Sequence, residues 1–368
     1  MNIQQIDIFL MEMKMKTPFS TSFGTVQNKK FYIVKAIDES GITGWGEGVA
    51  FESPWYTEET VETSLHMLER FLIPLVLKRS IEHPSEVDEL FQSIRRNQMA
   101  KASIEGAIWD VFAKLQNKTL ASVIGGTQSV IDVGISIGIE PTMEKQLQVI
   151  EQFLQQGYKR IKIKIKPGWD VEVVRAIRDR FGDISLMVDA NSAYTLHDIP
   201  LLKQLDPYNL LMIEQPLAHD DIVDHATLQR EIKTPICLDE SICSYDDARR
   251  AIEIGACKVV NLKIGRVGGI TQAIKIHDLC EQQGIDLWCG GMLEAGIGRA
   301  HNVAITSLAG FNLPGDTAAS SRYWEEDIIT PEVDVHNGVI TVPSTAGIGY
   351  EVEESKLLNY CTSKRTYK

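Results

Sequence analysis

Residues 160–170 read RIKIKIKPGWD. A period of two is strand geometry, so Lys162, Lys164 and Lys166 leave the backbone on one side and the isoleucines on the other. Taken alone, the stretch also suits a sheet edge with its polar face in water. The surrounding chain decides between these readings. From about residue 131, short β runs alternate with helical stretches. VGISIGI precedes TMEKQLQVIEQFLQQG, KRIKIKI precedes WDVEVVRAIRDRFG, and PICLDES precedes YDDARRAIEIG. KVVNLKIG and GITQAIKIHDLCEQQG continue the series, and IDLWCGG closes it. Apolar strands alternating with helices call for a parallel sheet covered on both faces. Seven such strands, ISLMVDA and LLMIEQPL included, suit a closed (β/α) barrel better than an open doubly wound sheet.

The polar residues that end the central strands have a rhythm. Lys164, Asp189, Glu214, Asp239 and Lys263 follow one another at intervals of 25, 25, 25 and 24 residues. One strand–helix unit has about that length, so each residue occupies the same level of its unit. In a parallel barrel that level is the C-terminal mouth, where active sites of this architecture lie. Three carboxylates therefore converge from neighbouring strands, with a lysine strand on either side. Lys162 and Lys164 are expected to point inward, toward acids.

Acidic residues at strand ends also serve as helix N-caps. VDAN, IEQP and LDES, however, place each acid after buried apolar residues, where an unpaired carboxylate is costly. Three such groups need a counter-charge, and oxygen ligands with no His or Cys nearby favour a hard cation such as Mg²⁺ over zinc. A lysine beside that cation becomes a useful base only if its pKa falls from about 10.4 to about 7.5, roughly 4 kcal/mol of differential stabilisation. A divalent cation, a second ammonium and burial all push that way. Metal and opposed lysines together suit removal of a proton α to a carboxylate. Arg266, three residues past Lys263, reads first as a loop or helix-start charge and second as a further positive charge adding to this push.

The bulk properties agree. At 368 residues, 44% hydrophobic and 24% charged, the chain has ample core for two domains or a barrel with an addition. A formal charge of −13 argues against nucleic acid as a partner. No run of eighteen apolar residues suggests a membrane span, and MNIQQIDIFLMEMKMK lacks the marks of a secretory signal. Six cysteines without a CxxC pair fit reduced thiols in a cytoplasmic enzyme. Residues 1–126 read as an α+β domain, strands first and helices after. The barrel is expected over 127–329, and the tail, about 330–368, is expected to rejoin the N-terminal sheet. GWGEG at 44–48 reads as a hairpin element, since no phosphate-loop pattern follows.

These marks resemble the enolase superfamily, in its muconate-lactonising subgroup, and within it the o-succinylbenzoate synthase / N-acylamino acid racemase family. The resemblance rests on KIK at 162–164, VDAN, IEQP, LDES, NLKIGRVGG, WCGGMLEAGIGRAHN at 288–302 and PGDTAASSRYW at 314–324. It implies a modified (β/α)7β TIM barrel, an α/β fold, with an N-terminal α+β capping domain. It implies Asp189, Glu214 and Asp239 as ligands of Mg²⁺ (or Mn²⁺), with Asn191 and Glu240 behind them. Lys164 and Lys263 would be acid/base groups on opposite faces of the substrate, and Lys162 would help neutralise its carboxylate. Capping-domain loops would supply Phe19, Ser20, Phe23 and Trp55. Ser136, Gly291 and Met292 would line the mouth, with small residues there meeting a succinyl carboxylate. The implied reaction is dehydration of a succinyl-hydroxycyclohexadiene carboxylate in menaquinone synthesis. Racemisation of N-succinylamino acids by the same residues is the alternative, and a dipeptide epimerase or muconate cycloisomerase stands further off. The expected partners are a small carboxylate with a succinyl or acyl arm and further copies of the chain in a homo-oligomer.

Overall fold

The computed structural model describes residues 1–20 and 25–368. The alternation read near the N-terminus becomes two long strands, β1 (Ile3–Ser20) and β2 (Thr25–Asp38), followed by β3 (Thr43–Gly48). Each strand presents different apolar residues to the two faces of the sheet. Ile6, Ile8, Tyr32 and Val34 pack with helical residues such as Leu65, Leu72, Ile104 and Ile108. Phe9, Met11, Met13, Phe31 and Ile33 belong to the core shared with the rest of the molecule. The GWGEG stretch is β3, paired antiparallel with β2. Its glycines are required by contact. A Cβ on Gly46 would stand 2.0 Å from the Ser103 carbonyl oxygen, and one on Gly44 would stand 2.2 Å from that of Ala107. The helix Gln98–Leu115 thus lies directly on the glycine face of β3.

After β4 (Val130–Asp132) come seven parallel strands in sequential order. They are β5 (Ile135–Ile137), β6 (Ile161–Lys164), β7 (Leu186–Asp189), β8 (Ile213–Glu214), β9 (Ile236–Leu238), β10 (Val259–Leu262) and β11 (Asp286–Cys289). An eighth segment bonds to both edges. Leu313 and Asp316 donate backbone N–H groups to Leu287 and Cys289, while Gly134 donates to the Gly315 carbonyl at 2.7 Å. Outward-facing Ile161, Ile163, Leu186, Val188, Ile213 and Leu262 join the core made with the surrounding helices. Met187, Met212, Cys237, Val259 and Trp288 form a separate apolar cluster, the inner floor of the barrel. Alternation along each strand then sends the residues two positions further on, Asp189, Glu214 and Asp239 among them, inward above that floor.

The C-terminal segment divides its pairing. β12 (Ile329–Thr330) pairs with β14 (Glu351–Val352), and β13 (Val339–Thr341) pairs with β4. Within the tail, β15 (Cys361–Tyr367) is the strand that joins the N-terminal sheet, alongside β1. The alternating VDVHNGVITVP stretch therefore pairs beside the barrel, away from the first sheet. No helix among the described residues is long and apolar enough to cross a membrane.

Two buried carboxylates of the N-terminal block reach across to barrel helices. Glu47 accepts backbone N–H groups of Ala295 and Gly298, at the start of the helix Gly296–Thr306. Glu105 accepts those of Ile270 and Thr271, opening the helix Ile270–Gln283. The first turn of a helix leaves N–H groups without intrahelical partners, and these carboxyl oxygens satisfy them. Through these contacts the cap is held over the barrel mouth.

Candidate active site

β6, β7 and β8 pair in direct register at their C-terminal ends, Lys164 opposite Asp189 and Asp189 opposite Glu214. The register then climbs. Glu214 lies opposite Cys237, two residues short of Asp239, and Val260 lies opposite Leu238, placing Lys263 two residues higher again. A stagger of two keeps every side chain on the same face and follows the strand tilt that closes a barrel. The even spacing in the sequence thus becomes a rising arc inside the mouth.

Each carboxylate of that arc meets a cation. Lys164 Nζ lies 2.6 Å from Asp189 Oδ2 and 2.7 Å from Asn191 Oδ1. Lys162 Nζ lies 3.0 Å from Glu214 Oε2, 3.4 Å from Asp189 Oδ2 and 2.9 Å from Asp316 Oδ2. Lys263 Nζ lies 2.9 Å from Asp239 Oδ2, and the Arg266 guanidinium bonds the other oxygen of the same carboxylate. Burial opposes ionisation of Asp239, yet Arg266 and Lys263 hold its carboxyl far below the ordinary range. Burial likewise disfavours the Lys162 ammonium, and the carboxylates of Asp316, Glu214 and Asp189 outweigh it, so Lys162 stays firmly charged. Lys166 has left the strand and is exposed in the turn that follows.

Glu214 and Glu240 are different. Burial, with the negative charges of Asp189 and Asp239 beside them, raises Glu214 to about 8 and Glu240 to about 7. Glu240 Oε1 accepts from Asn191 Nδ2 at 3.2 Å, while its Oε2 is buried with no partner. Among the described residues no three such side chains converge closely enough to hold an ion as they stand. The donor set nevertheless suits one. It is all oxygen, burial and the neighbouring negative charge together force two carboxyls upward, and Glu240 beside it keeps an unsatisfied oxygen. Hard divalent cations bind such sets.

The cleft above the arc contains about 870 Å³ of empty space, part of it open to solvent, and is lined by Ser136, Gly291, Met292 and Trp55 as well as the lysines. Ser136 Oγ donates to Asp316 Oδ2 at 2.8 Å. Gly290 is spent on packing. Its N–H donates to Leu262 in the sheet, and a Cβ there would stand 2.7 Å from Lys263 Cε. Trp55 packs against Phe51 with the rings tilted by 31° and their centroids 4.5 Å apart, at the rim formed by the cap. Phe19 and Ser20 end β1, but their side chains, and all of Phe23, lie outside the described residues.

Three participants escape the sequence pattern. Asp316 stands on the eighth stave and joins Arg160, at 2.6 Å, to Lys162. Its stave is too short to show alternation, and only the PGD turn marks it. Arg266 is 1% exposed and donates to the carbonyls of Ile242 and Asn261 besides Asp239, so it is a buried member of the site where a loop charge was expected. Tyr56 reaches in from the cap and bonds Lys263, Arg266 and Asp239.

Comparison with known proteins agrees with this geometry. Residues 5–125 match the family model described as mandelate racemase / muconate lactonizing enzyme, N-terminal domain, and residues 146–356 match enolase C-terminal domain-like. The chain is 59% identical over 359 residues to an o-succinylbenzoate synthase of Geobacillus kaustophilus, covering 98% of this chain and 96% of that one. It is 46% identical over 353 residues to an N-succinylamino acid racemase of Thermus thermophilus, covering 96% and 95%. A crystal structure of an enolase superfamily member from Listeria innocua superposes with a TM-score of 0.98 at 46% identity, covering 100% of this chain and 99% of that one. With both halves matched and the barrel mouth built as described, the chain belongs to the enolase superfamily, in its mandelate racemase / muconate lactonizing branch.

Proposed function

We propose that this chain is an o-succinylbenzoate synthase, removing water from 2-succinyl-6-hydroxy-2,4-cyclohexadiene-1-carboxylate. One observation carries the reading: Lys164 and Lys263 close the two ends of a row of three buried carboxylates at the barrel mouth. Asp189, Glu214 and Asp239 would hold a divalent cation, Mg²⁺ in our reading, which supplies charge neutralisation of the substrate carboxylate when bound. Lys164 takes the α-proton, and the C–H electron pair passes into the ring carboxylate as an enediolate. Those electrons return to form the aromatic C=C bond as the C–O bond breaks, and Lys164 returns its proton to the departing hydroxyl, releasing water. Lys263, on the other side, faces the enediolate as a cation. Lys162, held charged by three carboxylates, adds positive potential and takes no proton.

Racemisation of N-succinylamino acids is the second reading, favoured by the presence of an ammonium on each flank. There Lys164 and Lys263 would serve one enantiomer each. The substrates share an α-proton beside a carboxylate and a succinyl arm, so the same pocket serves both. Measuring kcat/KM for the diene acid and for several N-succinylamino acids tests the order. Synthase activity exceeding racemase activity is expected, and the reverse would make the racemase the principal function.

A further inference from the structure

The two lysines are held by different parts of the molecule. Lys164 is fixed from within the barrel by Asp189 and Asn191, at 2.6 and 2.7 Å. Among the described residues no hydrogen bond from the cap reaches it. Lys263 is fixed by Asp239 and by Tyr56, whose hydroxyl oxygen accepts from Nζ at 2.8 Å. That oxygen also accepts from Arg266 Nη1 at 2.8 Å, and its single proton goes to Asp239 Oδ1 at 3.1 Å. Every hydrogen-bonding capacity of the phenol is therefore engaged, and its direction is set. Its ring is braced in turn. Tyr56 lies edge-on to Phe51 and Trp55, with centroids 6.3 and 6.2 Å away, and Phe51 is buried.

We infer that Tyr56 is a positioning residue for Lys263, delivered by the cap, and that its hydroxyl weighs most on proton transfer at the Lys263 face. The inference rests on the function proposed above. A base must be aimed at the hydrogen it removes, whereas a cation that stabilises spread negative charge tolerates a looser position. Without its phenol oxygen, Lys263 keeps Asp239 and the face of the ring, 4.6 Å from Nζ to its centroid, but loses its one hydrogen bond to the cap. Racemisation needs Lys263 to break or form a C–H bond in each direction. In dehydration Lys263 moves no proton.

Tyr56→Phe tests this, since it removes one oxygen and keeps the ring that packs on Phe51 and Trp55. The readout is exchange of the α-hydrogen for deuterium in D₂O, followed separately for the two enantiomers of N-succinylphenylalanine, alongside dehydration of the diene acid. The enantiomer served by Lys263 is the one whose exchange disappears in Lys263→Ala. In Tyr56→Phe its exchange is expected to fall by about tenfold or more, the effect of a lost hydrogen bond to a charged group. Exchange of the opposite enantiomer and dehydration, which Tyr56 reaches only through its bond to Asp239, are expected to fall at least about threefold less than exchange on the Lys263 face, and their persistence shows that the variant is folded. Equal losses on both faces would make Tyr56 a merely structural residue, and unchanged exchange on both would give it no role; either result overturns the inference while leaving the proposed function intact. Wild-type protein that neither dehydrates the diene acid nor exchanges either enantiomer would overturn the proposed function, and this inference with it.

Discussion

Lys164 and Asp189 lie opposite one another on adjacent parallel strands, with Nζ 2.6 Å from Oδ2. The contact joins the proposed base to the first of the proposed metal ligands without an intervening residue. Lys164→Ala is expected to lower dehydration by at least about a thousandfold, the scale of a lost general acid/base. Steady-state kinetics with a circular dichroism spectrum checks this. A folded variant with near-normal turnover would remove Lys164 from the mechanism.

Metal dependence has a readout beyond activity. Chelation is expected to abolish turnover, and Mg²⁺ to restore it. A cation bound to the folded chain alone stabilises it by about 2.7 kcal/mol at a hundred times its Kd. The melting temperature of the wild type should therefore rise with added Mg²⁺. Glu214 is fully buried and its carboxyl is raised to about 8 by burial and by Asp189. Glu214→Gln is expected to lose most of the metal-induced rise. An undiminished rise in that variant would show that the ion sits elsewhere.

Much of this arrangement was legible in the chain because periodicity and burial coincide there. Lys164, Asp189, Glu214, Asp239 and Lys263 each end an apolar strand, and one strand–helix repeat returns the same level of the barrel. What periodicity does not convey is stagger. Equal intervals suggested one ring, but Asp239 and Lys263 each stand two residues above their lateral neighbours. Asp316 and Tyr56 were missed for a related reason. One follows a stave only a few residues long, and the other comes from a loop of a different domain, so neither carries a local pattern. Arg266 was undervalued because a charge three residues past a strand is ordinarily solvated. Here the chain turns back, and four acceptors, including Asp239 and Tyr56, bury it.

The glycine face of β3 makes a steric prediction. A methyl at Gly46 would meet the Ser103 carbonyl at 2.0 Å, and backbone in the middle of the helix Gln98–Leu115 has little room to yield. Gly46→Ala is expected to cost about 3 kcal/mol by overpacking, measured by urea denaturation. Gly291→Ala is the contrast. Its methyl would come no closer than 3.4 Å to the Asp316 carbonyl oxygen, so stability should hold while KM rises as the cleft narrows. A Gly46→Ala protein as stable as wild type would mean that the cap helix is not seated as described.

Finally, the cap–barrel junction should weaken with rising pH through Glu105. Burial raises its carboxyl from 4.5 to about 7, against hydrogen bonds from Thr271, Ile270 and Trp109 that favour the charge. Below pH 4.5 both folded and unfolded chains carry the proton. Between about 4.5 and 7 the unfolded chain has released it while the folded chain keeps it, so the unfolded state binds fewer protons and stability falls as pH rises. The full window corresponds to about 3 kcal/mol for this one group. Glu105→Gln removes the titration and keeps a neutral side chain of the same length. Urea denaturation at pH 5 and pH 7.5 should show the wild type losing more stability than the variant between the two. Equal losses would mean that Glu105 is already ionised at pH 5 and binds the helix start as an anion throughout.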